Sequence, residues 1–255
     1  MSEDAQGEVG RGFSWKGDGP VAHPPRLSAD DRPPKFELFS VILPHGPNRA
    51  DVPEPTQSPW EGIGTINLFD HGATSVVATG FLCAPDVLLT AKHVLTTASY
   101  DAGNVWLGFD AVHNPGAPML SIAAYAEHNS LDLAVLILTT QHQGVFALGA
   151  PLPPAHAGVT LAGYAFPYPN TSARLSYGNG PLTGASGTQL TYLIDTEEGD
   201  SGAPVFGVPN GQPTVIAVHA EGAPKGQGNA GVWLTPAVVA DIHSLIAIAR
   251  SHVGH

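Results

Sequence analysis

The sequence predicts an all-β chain folded as two six-stranded antiparallel barrels and finished by one C-terminal helix. Three observations lead there. About a dozen short apolar runs are separated by turn residues, as many small strands require. Gly and Pro are abundant, with 30 and 24 copies in 255 residues. A single amphipathic helical pattern stands at the C-terminal end.

Taken in order, residues 1–40 are rich in Gly, Pro, Asp and Arg and carry no apolar period, which reads as a loosely packed leader. A proline-rich link follows around Pro53–Pro59. From Ile63 onward β-branched and aromatic runs recur: GIGTINLF, TSVVATGFLC, DVLLTA, NVWLGF, MLSIAAYA and LDLAVLIL, then GVTLAGYA, ARLSYG, QLTYLI, APVFGV, PTVIAVHA and AGVWLT. The first six assign an N-terminal barrel to about residues 60–140 and the rest a C-terminal barrel to about residues 155–235. Thr235 can then cap a helix over residues 236–250, with Pro236 in its first turn and Val238, Ile242, Leu245 and Ala249 on one face. No repeat of solenoid or propeller period is present, so residues 41–255 are expected to form one structural unit.

Composition excludes several classes of function. A formal net charge of −12 disfavours a grip on nucleic acid or on an anionic membrane surface and leaves a protein or small-molecule substrate as the expectation, which the motifs below narrow to protein or peptide substrates. No apolar stretch approaches a membrane span, and the N-terminus has neither the basic start nor the apolar centre of a signal peptide, so no export address is expected in these residues. Cys83 is the single cysteine, which leaves no intramolecular disulfide. The 12 histidines form no HExxH or other ligand-spaced cluster, so neither metal nor cofactor is expected. A monomer is the default expectation.

The chemistry lies in three segments. In EEGDSGAPVF, Ser201 sits between glycines, so the backbone can turn sharply and aim the N–H groups of Gly199 and Ser201 at a developing oxyanion. In DVLLTAKHVL an apolar run ends in small residues and a short helical turn, presenting His93 as a general base. Asp132 opens LDLAVLIL, where a carboxylate drawn partly out of water demands a partner. Each alone has an ordinary explanation as a turn former or a core histidine. Together they are the hydroxyl, base and orienting carboxylate that amide hydrolysis by a serine needs.

The segments TAKHV, DLAVL and GDSGAPV resemble those of chymotrypsin-like serine peptidases in identity, order and rough spacing. VILP at Val41, the nearby Arg49, LAGY at Leu161, IDT at Ile194 and AVH at Ala217 extend the resemblance to bacterial glutamyl endopeptidases of the staphylococcal and bacillar type. It implies a chymotrypsin-like double barrel, a serine endopeptidase with the triad His93, Asp132 and Ser201, and a secreted enzyme. It also implies a processing bond at Ser40–Val41 that would make residues 1–40 a propeptide, the competing reading being a plain loose terminus.

On specificity the residues divide. By resemblance Thr196 and His219 match pocket groups that hold a substrate glutamate. Asp195, however, occupies the place where trypsin-like members carry the aspartate that attracts lysine or arginine, and Glu197, Glu198 and Glu221 add negative charge. Asp200 matches an aspartate that pairs with a freed α-amine in enzymes activated by cleavage. A reading from another class is a catalytically silent peptide-binding module on the same barrels. An α/β-hydrolase is excluded by the order His93, Asp132, Ser201 and the lack of alternating helices.

Overall fold

A computed structural model describes residues 9–10, 49–70, 73–96, 102–111, 113–149, 157–165, 174–222 and 228–253. The expected leader therefore lies outside the described residues except for Val9–Gly10, and so does the Ser40–Val41 bond.

The described chain is two closed antiparallel barrels and a terminal helix, the predicted architecture. Strands β1 (Val9–Gly10) and β2 (Arg49–Asp51) are short additions to the two barrels. The first barrel contains β3 (Ile63–Asp70), β4 (Ala73–Ala84), β5 (Val87–Thr90), β6 (Ala102–Leu107), β7 (Met119–Glu127) and β8 (Ala134–Leu138). Its order is β7-β6-β3-β4-β5-β8, the β7–β8 pairing closes it, and β1 adds to β7 at Tyr125 and Ala126. Helix α1 (His93–Thr96) is one turn leaving β5.

A two-residue strand, β9 (Ala147–Leu148), leads to the second barrel: β10 (Gly158–Gly163), β11 (Ser176–Ser186), β12 (Gln189–Tyr192), β13 (Pro204–Gly207), β14 (Thr214–Gly222) and β15 (Asn229–Trp233). These run β10-β13-β14-β15-β12-β11 with β10–β11 closing the ring, while β2 adds to β11 and β9 to β14. Helix α2 (Pro236–Ser251) ends the fold, its first turn capped by Thr235, whose hydroxyl accepts from the Val238 N–H at 3.3 Å.

The pattern of each strand follows from what covers it. On β7 buried Leu120, Ile122, Ala124 and Ala126 alternate with more exposed residues, whereas all of β8 is buried. One face of β8, Ala134, Leu136 and Leu138, fills the barrel with Ile66, Leu68, Leu88 and Val105. Its other face, Val135 and Ile137, belongs with Val238, Ile242 and Leu245, because α2 packs across β7 and β8. A strand covered on both sides reads as an unbroken apolar run, which is why LAVLIL does not alternate. Between the barrels, Phe81, Phe146 and Phe206 stack edge to face at 5.8 and 5.3 Å.

The strand read as ARLSYG lies further along, at Ser176–Ser186. The segment GNGPLTG looks like a turn, yet it is strand because β11 passes very close to its neighbour. A Cβ on Gly180 would stand 1.8 Å from the Leu193 carbonyl oxygen, so glycine is required by proximity rather than by a turn.

Leu245, on the face of α2 turned to the barrel, is fully buried. Leu245→Ala is expected to cost about 3 kcal/mol by lost burial and the cavity left behind. Thermal unfolding would register this as a fall in Tm of several degrees with the strand content unchanged.

Candidate functional site

Three segments from different parts of the chain meet at the seam between the barrels. β5 ends at Thr90, and α1 then turns His93 towards the seam. The loop before β8 carries Asp132 and is held in shape by His128, whose Nδ1 accepts from the N–H groups of Ser130 and Leu131 at 3.2 and 3.0 Å. Lys92 Nζ donates to the His128 carbonyl at 2.9 Å and so ties the His93 segment to that loop.

Asp132 receives His93 twice. Its Oδ2 lies 2.7 Å from His93 Nδ1, and its Oδ1 accepts the His93 backbone N–H at 2.8 Å. With Nδ1 carrying a proton towards Asp132, Nε2 is left as an acceptor, and Ser201 Oγ stands 2.8 Å from it. Burial works to raise the Asp132 carboxyl, but the His93 ring and the backbone N–H groups of His93 and Lys92 outweigh it, leaving it below the usual aspartate value. The three side chains form one continuous line from carboxylate to hydroxyl.

Ser201 follows a tight turn. The Asp200 N–H donates to the Glu197 carbonyl at 3.1 Å, and Gly199 has a φ of 94°, where a side chain would be strained. Gly202, at φ 84°, is required twice over, because a Cβ there would lie 2.1 Å from Thr90 Oγ1 and 2.2 Å from the Thr79 carbonyl. Neither the Gly199 nor the Ser201 N–H is spent on a backbone carbonyl among the described residues. Such a pair of donors can stabilise a negative oxygen forming beside Ser201.

The first barrel grips this turn through fully buried Thr79 of β4. The Thr79 N–H donates to the Ser201 carbonyl at 3.0 Å, and its hydroxyl donates to the Gly199 carbonyl at 2.7 Å while accepting the Tyr164 N–H at 2.9 Å. Below the turn, Asp200 is wholly buried and its Oδ2 meets Arg49 Nη1 at 2.6 Å. The partner of Asp200 in this structure is thus a side chain, in place of the α-amine that the resemblance suggests; Val41 itself is outside the described residues.

The three residues expected to set specificity are all buried, and all lie in the second barrel near the Ser201 turn: Asp195, Thr196 and His219. His219 is tied to it by backbone bonds, accepting the Gly202 N–H at 2.8 Å and donating to the Ala203 carbonyl at 2.9 Å. Its Nδ1 lies 2.6 Å from the Tyr192 hydroxyl. Burial, with the nearby His93 and Arg49, pushes the His219 imidazole down to about 3, and burial holds the Tyr192 hydroxyl well above its usual value. Both are therefore neutral in neutral solution, and a Tyr192 O–H donating to Nδ1 leaves His219 with its proton on Nε2. Thr196 Oγ1 has no hydrogen-bond partner among the described residues.

A family model described as a trypsin-like peptidase domain matches residues 78–218, which spans Thr79, His93, Asp132 and Ser201. This chain belongs to the trypsin-like peptidases. It is 27% identical over 192 residues to a glutamyl endopeptidase of Staphylococcus epidermidis, covering 71% of this chain and 66% of that protein. It is 25% identical over 213 residues to a glutamyl endopeptidase of Staphylococcus aureus, covering 78% of this chain and 57% of the relative. The chain thus spans less than two thirds of the length of these relatives. Among solved structures, one titled as a Glu endopeptidase in complex with MPD shares the fold at a TM-score of 0.70 and 21% identity, covering 81% of this chain and 100% of that one. A scabies mite inactivated protease paralogue shares it at a TM-score of 0.64 and 15% identity, covering 78% of this chain and 99% of that one.

Sequence reasoning missed Arg49 as the partner of Asp200, Tyr192 behind His219, and Thr79. Thr79 had the faintest signal, a polar residue within an apolar strand run. Among the described residues, no group of three His, Cys, Asp or Glu could hold a metal ion, and no helix is long and apolar enough to cross a membrane.

Two measurements test this geometry. Thr79→Val keeps the shape but strips two buried groups of partners, and is expected to cost about 2–3 kcal/mol in denaturant unfolding. For His219, the folded value near 3 lies below the unfolded value of about 6.5, so the unfolded chain binds a proton that the folded chain refuses. Its contribution is complete above about pH 6.5 and is lost as pH falls towards 3. His219→Gln is expected to lose Tm less steeply than the wild type between about pH 7 and pH 4; parallel slopes would mean that the folded protein protonates His219.

Proposed function

We propose that this chain is a serine endopeptidase working through an acyl-enzyme, with residues 41–255 as the peptidase unit. One observation carries the reading: the hydrogen-bonded line from Asp132 through His93 to Ser201, at 2.7 and 2.8 Å. Ser201 Oγ attacks the scissile carbonyl and gives its proton to His93 Nε2. Asp132 holds the resulting imidazolium, and the N–H groups of Gly199 and Ser201 receive the oxyanion. His93 then protonates the leaving amine, the bond to nitrogen breaks, and water attacks the acyl-enzyme by the same route in reverse.

The favoured residue on the acyl side of the cut is glutamate. Two findings support it: a neutral His219 that can donate from Nε2, and a Thr196 hydroxyl without a partner among the described residues. The relatives named as glutamyl endopeptidases point the same way. The competing choice is lysine or arginine, drawn by Asp195.

The test is cleavage of a peptide library by the purified full-length protein, with cut sites read by mass spectrometry and Ser201→Ala as the blank. Ser201→Ala is expected to lose on the order of 10⁶-fold in kcat, and Asp132→Asn about 10⁴-fold, each with the fold intact. Cuts after glutamate assign Thr196 and His219 to the pocket, and cuts after lysine or arginine assign Asp195 instead. Serine-independent cleavage, or none from either the full-length protein or a chain starting at Val41, would overturn the peptidase reading and leave a catalytically silent peptide-binding module.

A further inference from the structure

Asp200 is the most tightly enclosed charged group beside the nucleophile, and its surroundings are unusual. Its side chain is 0% exposed and that of Arg49 is 8% exposed. Oδ2 accepts both the Arg49 Nη1 hydrogen bond at 2.6 Å and the Glu197 N–H at 2.9 Å, the latter at the start of the turn that ends in Ser201. Oδ1 has no partner among the described residues, and Gly163 closes over it so tightly that a Cβ there would come within 2.6 Å. Burial lifts the Asp200 carboxyl above the usual aspartate value, and the Arg49 charge pulls against that rise.

Arg49 reaches this position from β2, which pairs with β11. Its guanidinium also donates to the Ser176 hydroxyl at 2.8 Å, to the Ser176 carbonyl at 3.0 Å and to the Asp195 carbonyl at 3.3 Å. One planar cation therefore joins a barrel strand, the segment carrying Asp195 and Thr196, and the turn carrying Gly199 and Ser201. A lysine could supply the charge but not the fork.

We propose that Arg49 is a positioning residue for the reaction: an internal cation that holds Asp200, and through it the Glu197–Ser201 turn, in the geometry that presents the Gly199 and Ser201 N–H groups. The proposal rests on the peptidase reading above. It carries a consequence for activation. Because the counter-charge of Asp200 is part of the folded chain, the turn is set without an α-amine released by cleavage, and the protein is competent with residues 1–40 still attached.

The experiment uses the full chain and two readouts. In the first, a fluorophosphonate probe labels Ser201 and the intact mass of the labelled species is measured. Label on the species that retains residues 1–40 is expected; label confined to species that have lost them would overturn the proposal. In the second, kcat and KM are compared for wild type, Arg49→Gln and Arg49→Lys on one peptide substrate. Arg49→Gln is expected to lose about 10²-fold in kcat, the scale of losing one oxyanion donor, with KM within about threefold. Arg49→Lys is expected to fold and to recover part of that loss, which keeps the comparison decisive if Arg49→Gln does not fold. Unchanged kcat in Arg49→Lys and Arg49→Gln, with an active wild type, would overturn this proposal alone. Label on a chain starting at Val41 but not on the full chain would overturn this proposal alone, and a wild type that neither labels nor cleaves in either form would overturn the peptidase reading with it.

Discussion

Everything at the seam depends on Thr79 holding the turn that carries Ser201 to the opposite barrel. His93 and Asp132 belong to the first barrel, Ser201 to the second, and a hydrogen bond of 2.8 Å between them tolerates little drift. Thr79 removes that drift by bonding the carbonyls on both sides of Asp200, those of Gly199 and Ser201. It also takes the Tyr164 N–H from the end of β10, so the contact is made at two places in the second barrel. The aromatic stack of Phe81, Phe146 and Phe206 sets the distance between the barrels, but apolar packing is not directional. Alignment must come from the hydrogen bonds.

The two aspartates that serve this site are handled in opposite ways. Asp132 is 31% exposed and sits below its usual value because both carboxylate oxygens are bonded within the His93 segment. Asp200 is sealed, and burial raises it despite a guanidinium at 2.6 Å. A sealed ion pair contributes little net stability relative to apolar packing, yet removing one partner strands the other at a cost of several kcal/mol. Such a pair makes sense where orientation matters more than stability. Asp200 lies between the two N–H groups that would face an oxyanion, and a carboxylate that must keep its cation cannot rotate them away.

The fold was legible because its strands are short, β-rich and separated by strong turn residues, and because α2 announces itself through Thr235, Pro236 and a clean apolar face. His93, Asp132 and Ser201, which the fold brings into one hydrogen-bonded line, stood out in the sequence because each sits in a local segment whose composition suits the role expected of it. What escaped was non-local. Arg49 stood out only as part of a resemblance, and nothing near it announces a partner 151 positions later. Tyr192 and Thr79 look like strand residues, which they are; their hydroxyls matter only through register and barrel closure. The course of β11 was hidden because Gly180, which lets it pass close to Leu193, is a residue type that usually marks turns.

The same guanidinium bears on the choice of substrate. Two unit charges about 4 Å apart interact by roughly 4 kcal/mol at an effective dielectric near 20, so an uncompensated Asp195 facing a bound glutamate would be prohibitive. Asp195 is not uncompensated in its neighbourhood: Arg49 donates to its backbone carbonyl and also pulls the Glu197 carboxyl back towards its ordinary value. A positive group thus stands among Asp195, Glu197 and Asp200, and it offsets part of the field that the acidic residues alone would create. On the proposed reading, the groups offered to a substrate carboxylate, a Tyr192-oriented neutral imidazole and the Thr196 hydroxyl, are donors without charge. Donors of this kind favour an acceptor-rich carboxylate over an ammonium, which brings only donors of its own. The local hydrogen bonding is thus in keeping with the proposed glutamate preference although the sequence around Ser201 is acidic.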